Sequence, residues 1–192
     1  MDSEKLEAFV DAVLAIILTV IVLELPQPET ITFAGFWALK TNFFAYLTSF
    51  IVVLTNWYFF HIIFEIVKKI DGRVIAMTGL VVFVMSLLPY FTLLISNNFS
   101  NVNAQLCYCA FFIVVELAYD VLFWMIINIE HNKNLSRILN LKRTALHLIF
   151  YALGIILGYL FMPEIIVVFV FIAVLTWFIH VYISIKDIDN IG

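Results

Sequence analysis

Six apolar stretches divide the chain, and each is long enough to cross a lipid bilayer as a helix. A membrane-spanning α-helix needs about 20 predominantly apolar residues. Polar segments separate several of the stretches, such as residues 68–73 and residues 96–101. The predicted spans are residues 6–25, 42–67, 74–95, 104–129, 146–161 and 165–185. The chain is therefore predicted to be an all-α integral membrane protein, with residues 1–192 forming one six-helix transmembrane domain.

The composition agrees with a membrane protein and excludes several soluble classes. Hydrophobic residues make up 65% of the chain and charged residues 12%, whereas a soluble domain has about 45–50% and about 25%. A domain of this length cannot hide that excess of apolar surface in one core. The net charge of −4 offers no basic patch for a nucleic acid. A soluble enzyme, a disordered chain and a nucleic-acid-binding protein are thereby excluded.

The basic residues are distributed very unevenly between the two sides of the predicted membrane. Of the 10 basic residues, only Lys40 falls in the loops of one side. The others are Lys5, Lys68, Lys69, Arg73, Lys133, Arg137, Lys142, Arg143 and Lys186. Because basic residues accumulate in cytoplasmic segments, both termini are predicted to be cytoplasmic.

Three local features refine the predicted helices. Pro89 lies inside the third span and predicts a kink there. Residues 31–40, which include Trp37, either extend the second span outward or lie at the membrane interface, as tryptophan often does. Gly154 and Gly158 have the small-xxx-small spacing that favours close helix packing.

Ionisable side chains occur inside the predicted spans, where their cost marks them as candidates for a functional or structural role. They are Glu7 and Asp11 in the first span, His61 and Glu65 in the second, Glu116 and Asp120 in the fourth, and His147 and His180 in the last two. One interpretation is a proton or ion relay. The other is a set of interhelical hydrogen bonds that lock the inner half of the bundle, and the residues alone favour this second role.

Glu116 and Asp120 are the clearest polar pair, because residues four apart share one face of a helix. Two carboxylates so close can bind a proton, since like charges raise one of the two pKa values. Alternatively, Tyr119, a neighbouring helix or water satisfies both carboxylates.

The first span has two distinct sides. At about 100° per residue, a stripe lies about 80° to 140° away from Asp11. Its members are Ala12, Ile16, Thr19 and Leu23. From composition alone, this stripe faces lipid or a neighbouring helix.

No arrangement of residues predicts catalysis or a metal site. An enzyme needs a nucleophile with its base, or a metal cluster. His61 and Glu65 are too few to hold a metal. Cys107 and Cys109 point about 200° apart on a helix, so they are predicted to be buried, unpaired thiols. No catalytic residue, metal or cofactor is expected.

The run that begins at Lys5 places Phe9 and Asp11 at the start of the first span. It resembles the opening of the transmembrane protein 175 family of potassium channels, whose mark is Arg-x-x-x-Phe-Ser-Asp. Phe9 and Asp11 match that mark, while Lys5 stands for the arginine and Val10 for the serine. Later segments resemble the family's second and third helices. They are residues 44–50 with Trp57, and residues 84–89. Phe59 and Phe60 replace most of the polar group that follows the tryptophan, and His61 is the histidine that remains.

This resemblance implies a passive, potassium-preferring channel in a multi-pass bacterial plasma-membrane protein. One six-helix unit per chain implies a homotetramer, whose first helices line the central pore. The expected partners are therefore other copies of the chain, permeant potassium ions and the bilayer. The Thr-Val-Gly-Tyr-Gly filter of ordinary potassium channels does not occur in the sequence, and the family uses apolar rings instead.

The resemblance also assigns roles on the first helix. Ile16 and Leu23 would form the apolar rings, with Thr19 between them and Ala12 also lining the pore. Asp11 would face away from the pore axis and hold the helix in place through His61 and Trp57. Lys5 and Phe9 complete this anchoring network, which should be thinner than usual because of Val10, Phe59 and Phe60.

A proton-coupled transporter or proton pathway is the alternative function. It would use Glu116, Asp120 and Asp11 as proton carriers. Transporters commonly show internal repeats or interrupted helices, and the sequence shows neither apart from Pro89. The channel is therefore the first interpretation.

Overall fold

The computed structural model describes residues 3–66, 71–130 and 141–189, and these residues fold into helices joined by short connections. The helices are α1 Ser3–Leu23, α2 Phe33–Ala38, α3 Lys40–Ile66, α4 Gly72–Ser86, α5 Leu88–Asn97, α6 Val102–Glu130, α7 Leu141–Leu160 and α8 Ile165–Asp189. Within the described residues, 6 segments are long and apolar enough to cross a membrane. They are Glu4–Leu23, Lys40–Phe64, Gly72–Asn97, Val102–Asn128, Lys142–Leu160 and Ile165–Ile183. The prediction of an all-α protein with six spans is confirmed.

The third span is broken into α4 and α5 at Leu87. Pro89 lies in the first turn of α5, where its missing N–H cannot donate to the Met85 carbonyl, four residues earlier. The Leu87 N–H turns back to the carbonyls of Val84 and Met85 instead. The predicted kink is therefore present, and it begins two residues before the proline.

The segment between α1 and α3 forms a separate short helix rather than an extension of the second span. Thr32 caps α2 by accepting a hydrogen bond from the Gly35 N–H at 3.2 Å, and α2 ends before α3 begins at Lys40. No residue of α2 is buried. Exposed Phe33 and Trp37 suit the interfacial position that was one of the two predictions.

The helices pack around α3 and α6. α1 lies against α3, α4 and α5, whereas α6 contacts α4, α5, α7 and α8. α7 and α8 approach each other closely because Gly154 and Gly158 face the second helix of the pair. A Cβ on Gly154 would lie 2.7 Å from the Phe169 Cβ, and one on Gly158 would lie 2.5 Å from the Ile166 Cγ1. The glycine pair therefore has the packing role that its spacing predicts.

The two cysteines of α6 differ in their exposure. Cys109 is buried but Cys107 is exposed, so the prediction of two buried thiols was wrong for Cys107, which lies on the outward face of α6.

Several basic residues on which the predicted membrane orientation rests lie outside the described residues, and the cytoplasmic placement of the termini stays a prediction. They are Lys68, Lys69, Lys133 and Arg137.

Candidate functional site

α1 has one buried side and one exposed side. Its buried residues recur every three or four positions, which places them on a single helical face against α3, α4 and α5. They are Leu6, Val10, Leu14, Ile17 and Ile21. Val10 belongs to this packed face, with none of its surface exposed. This explains why the position tolerates an apolar side chain where the related motif has serine.

The four residues of the predicted pore stripe all lie on the exposed side of α1. Ile16 is 60% exposed and Leu23 is 82% exposed, with Ala12 and Thr19 also exposed. The Thr19 hydroxyl donates to the Ile16 carbonyl at 2.8 Å, so its oxygen can still accept a contact from outside the helix. The single chain thus presents an apolar surface with one hydroxyl, most of which its own helices leave uncovered.

The predicted anchor on α3 reaches α1 through Glu7. Trp57 stacks on His61, with ring centroids 5.8 Å apart and planes inclined by 9°. The Nδ1 of His61 lies 3.2 Å from Oε1 of Glu7. The resemblance implies Asp11 as this carboxylate, whereas the structure places Glu7, one helical turn earlier, at the histidine. Residues 7 and 11 share one side of the helix, which is why spacing alone could not distinguish them.

The other residues of the predicted anchoring network are arranged more loosely. Asp11 is half-buried, and Lys5 is exposed. Phe9 is 51% exposed and lies seven residues before Ile16, on the same side of α1 as the stripe. The structure therefore brings Trp57 and His61 together with Glu7. It leaves Lys5 and Phe9 on the surface of the single chain.

A second polar site joins α6 to α7 inside the bundle. The Arg143 Nη2 donates to Oδ1 of Asp120 at 2.5 Å, and the Thr144 hydroxyl donates to Oδ2 of the same residue at 2.6 Å. Glu116, which is only 2% exposed, lies 2.6 Å from Nδ1 of His147. Tyr151 donates to the second oxygen of Glu116 at 3.3 Å. Both carboxylates of the predicted pair are thus held by α7.

α8 closes the same site from the third side. The Thr176 Oγ1 lies 3.1 Å from Nε2 of His147, so both ring nitrogens of this histidine have partners. The Arg143 guanidinium lies over the Trp177 ring, 5.6 Å from its centroid. The cluster of Glu116, Asp120, Arg143, His147 and Thr176, called the inner polar cluster below, therefore connects three helices.

This cluster answers the question that the sequence left open for Glu116 and Asp120. A neighbouring helix satisfies them, whereas the Tyr119 hydroxyl has no hydrogen-bond partner among the described residues. Sequence reasoning missed Arg143 and Thr144 as partners. The available signal was spacing, since Arg143 and His147 are four apart on the next helix, as their two acidic partners are on α6.

Among the residues that the structure describes, no group of three or more His, Cys, Asp or Glu side chains is arranged to hold a metal ion. The side chain of Glu65, one of the two ligands considered from the sequence, lies outside the described residues.

Comparison with known proteins shows that the chain is similar to potassium channels of bacteria. Residues 5–89 match the family described as "Endosomal/lysosomal potassium channel TMEM175". A potassium channel of Chryseobacterium sp. (strain P1-3) is 35% identical over 181 residues, which cover 93% of this chain and 94% of the relative. A potassium channel of Streptomyces collinus (strain DSM 40733 / Tue 365) is 27% identical over 139 residues, covering 68% and 67%.

The fold also has a solved counterpart. The crystal structure of a lysosomal potassium-selective channel TMEM175 homolog from Chamaesiphon minutus superposes with a TM-score of 0.78, at 22% identity. The match covers 93% of this chain and 97% of the other. At that identity the likeness concerns the fold alone.

Proposed function

The chain belongs to the TMEM175 family of potassium channels, and we propose that four copies of it surround a central pore lined by α1. It is a potassium channel and a multi-pass protein of the bacterial cell membrane. Conduction through such a pore is passive and needs no catalytic residue or cofactor.

The observation that carries this proposal is the exposed stripe on α1. Its apolar members are turned away from the protein's own core, while the opposite side of the helix is packed. Four copies of Ile16 around an axis would form an apolar neck, which closes by dewetting or passes partly dehydrated cations. Potassium loses its water more easily than the smaller sodium, so such a neck prefers potassium.

The remaining stripe residues would adjust the neck. Leu23, two turns beyond Ile16, would add a second apolar ring. Thr19 lies between the two rings, and its hydroxyl oxygen can replace a lost water of hydration. Ala12 would leave the pore wider on the side of the termini.

The contact of Glu7 with His61 supports an anchoring role on the other side of α1. His61 is stacked on Trp57, so the acceptor on α1 is held against a rigid pair of rings on α3. We infer that this contact, together with half-buried Asp11, fixes the rotation of α1 and hence the direction of the stripe.

The proton-pathway alternative gains no support from the inner polar cluster. A relay needs groups that can exchange protons with water, whereas Glu116 and Asp120 are closed in by Arg143, His147 and Thr144. These contacts are those of an interhelical lock.

The experiment is a reversal-potential measurement in planar bilayers, with potassium on one side and sodium on the other. The wild type should reverse near the potassium equilibrium potential, and Ile16→Ala should move the potential toward zero. The matched control is Ile156→Ala, which removes the same atoms from an isoleucine that is 54% exposed on α7 and should change nothing.

Two outcomes would contradict the proposal. Equal shifts of the reversal potential in both variants would show that α1 does not line the pore more closely than α7. An unchanged reversal potential for Ile16→Ala would show that Ile16 does not form the narrow part of the pore. Light scattering of the purified protein tests the stoichiometry separately, because a tetramer should contain four chains of 22.2 kDa and a dimer could not surround the proposed pore.

A further inference from the structure

A cavity of about 760 Å³, to which mostly polar residues contribute, opens where α3, α6 and α8 begin. This is the end of the bundle that the charge distribution predicts to be extracellular. The cavity is lined by Lys40, Thr41, Ser96, Asn97, Asn98, Phe99, Ser100, Asn101, Met162 and Glu164. These residues come from the start of α3, the end of α5, the α5–α6 loop and the α7–α8 turn. The cavity is therefore distinct from the exposed stripe of α1.

Opposite charges line this cavity without neutralising each other. The Lys40 ammonium lies over the Trp37 ring, 5.5 Å from its centroid, which leaves its N–H groups available. The Glu164 Oε1 accepts from the Ser100 hydroxyl at 2.5 Å. In the part of the chain that the structure describes, Lys40 and Glu164 form no ion pair with each other. A ligand that carries both signs of charge can therefore contact both.

The walls of the cavity are fixed before any ligand arrives. The Asn101 Oδ1 accepts from the backbone N–H of Asn103 at 2.9 Å. The Gln105 side chain donates to the Phe99 carbonyl at 2.5 Å and accepts from the Val167 N–H at 3.0 Å. The loop is thus tied both to α6 and to α8. Pre-organisation of this kind lowers the entropic cost of binding.

We propose that this cavity binds a zwitterionic headgroup with a phosphate and a primary ammonium, as in phosphatidylethanolamine of the outer leaflet. Lys40 contacts the phosphate, and Glu164 accepts from the ammonium. A primary ammonium has three N–H donors, which suits the Glu164 carboxylate and the side-chain oxygens of the neighbouring asparagines and serines. A trimethylated ammonium has no donor. The position at the membrane surface, with Phe99 and Met162 in the lining, favours a lipid as the source of the headgroup.

The test is native mass spectrometry of the detergent-purified wild-type protein titrated with phosphatidylethanolamine or phosphatidylcholine of identical acyl chains. Phosphatidylethanolamine should bind roughly fivefold more tightly, which is the strength of one partly exposed charged contact. Lys40→Gln and Glu164→Gln should each weaken its binding by roughly the same factor. Glu29→Gln makes the same charge change as Glu164→Gln but in the α1–α2 loop, outside this cavity, and should leave binding unchanged.

Three results would overturn the proposal. One is equal binding of the two lipids by the wild type, a comparison that requires no variant to fold. Another is binding of phosphatidylglycerol as tight as that of phosphatidylethanolamine and indifferent to Glu164→Gln, since that result describes a simple anion site. The third is free phosphoethanolamine competing at the same concentration as the lipid, which would give the ligand a soluble source. None of these results depends on whether the protein conducts potassium.

Discussion

The exposed side of α1 and the inner polar cluster differ in how fully the rest of the chain surrounds their side chains. The cluster brings charged and polar groups of α6, α7 and α8 together until each carboxylate has at least two partners. The stripe on α1 leaves apolar side chains largely uncovered by the rest of the chain, and Ile16 remains 60% exposed. The first region is complete within one chain, whereas the second acquires its surroundings only in the proposed tetramer.

The difference follows from what each group loses when it is left without a partner. A buried charge without a partner costs several kcal/mol, so selection for folding alone accounts for the inner polar cluster. An exposed isoleucine in a membrane costs almost nothing, because lipid is as apolar as the side chain. Polar groups in a span therefore do not by themselves mark the functional surface. In this protein the apolar stripe is the better candidate.

The largest expected effect comes from breaking the cluster. Arg143→Met removes the cation that pairs with half-buried Asp120 and lies 4.0 Å from Oε1 of buried Glu116. It should lower the free energy of unfolding by about 3–5 kcal/mol. Unfolding in mixed detergent–SDS micelles measures this loss. Lys142→Met, which removes a cation from an exposed neighbouring position, is the matched control and should cost less than about 1 kcal/mol.

A second substitution makes the same test specific. Asp120→Asn in the Arg143→Met background removes the carboxylate that has lost its ion-pair partner and should recover part of the lost stability. Equal losses for Arg143→Met and Lys142→Met would show that the cluster is no lock, and the contrast with α1 would then disappear.

An intermediate effect is expected at the contact between α1 and α3. Glu7→Gln weakens the hydrogen bond to His61 and should cost about 1 kcal/mol and lower the open probability in single-channel recordings. The ratio of potassium to sodium permeability should stay the same, because Glu7 lies off the stripe. Asp11→Asn is the comparison, and a larger effect there than at Glu7 would contradict the assignment of the anchor to Glu7.

The smallest effect is expected for an exposed pair of the same chemistry. Arg73 donates to Asp71 at 2.8 Å, and this hydrogen bond holds the pKa of Asp71 below its ordinary value of 3.8. Because the folded-state pKa is lowered, the pair stabilises the protein at neutral pH and loses its effect only as the pH falls below 3.8.

Thermal unfolding between pH 3 and pH 7 checks this expectation. At pH 7 the wild type should unfold at a slightly higher temperature than Asp71→Asn, and the two curves should converge at the acidic end. A gap that widens as the pH falls would reverse the sign and disprove the assignment.

Most of the fold was predictable because apolar length, glycine spacing and Pro89 act locally. The six spans, the kink and the close α7–α8 contact each follow from a short stretch of sequence. The separate helix at Phe33–Ala38 did not follow, since it depends on Thr32 capping a segment whose composition also suits a longer α3.

The side-chain partners were less predictable than the helices. Spacing places Glu7 and Asp11 on one side of α1, but which of them meets His61 depends on the height of α3 beside it. In the same way, Glu116 and Asp120 were recognised as a pair, whereas Arg143 became their partner only through the packing of α7. The resemblance supplied the stripe on α1, which composition alone assigns to lipid or a neighbouring helix.

The central claim is that the exposed side of α1 faces water in the assembled channel. Its most direct test is the rate at which a charged, membrane-impermeant thiol reagent blocks the current of Ile16→Cys, with Cys107 and Cys109 replaced by serine. The claim predicts rapid block in the open channel and no block for Ile156→Cys, which faces outward on α7. An Ile16→Cys channel that conducts normally and never reacts would contradict it.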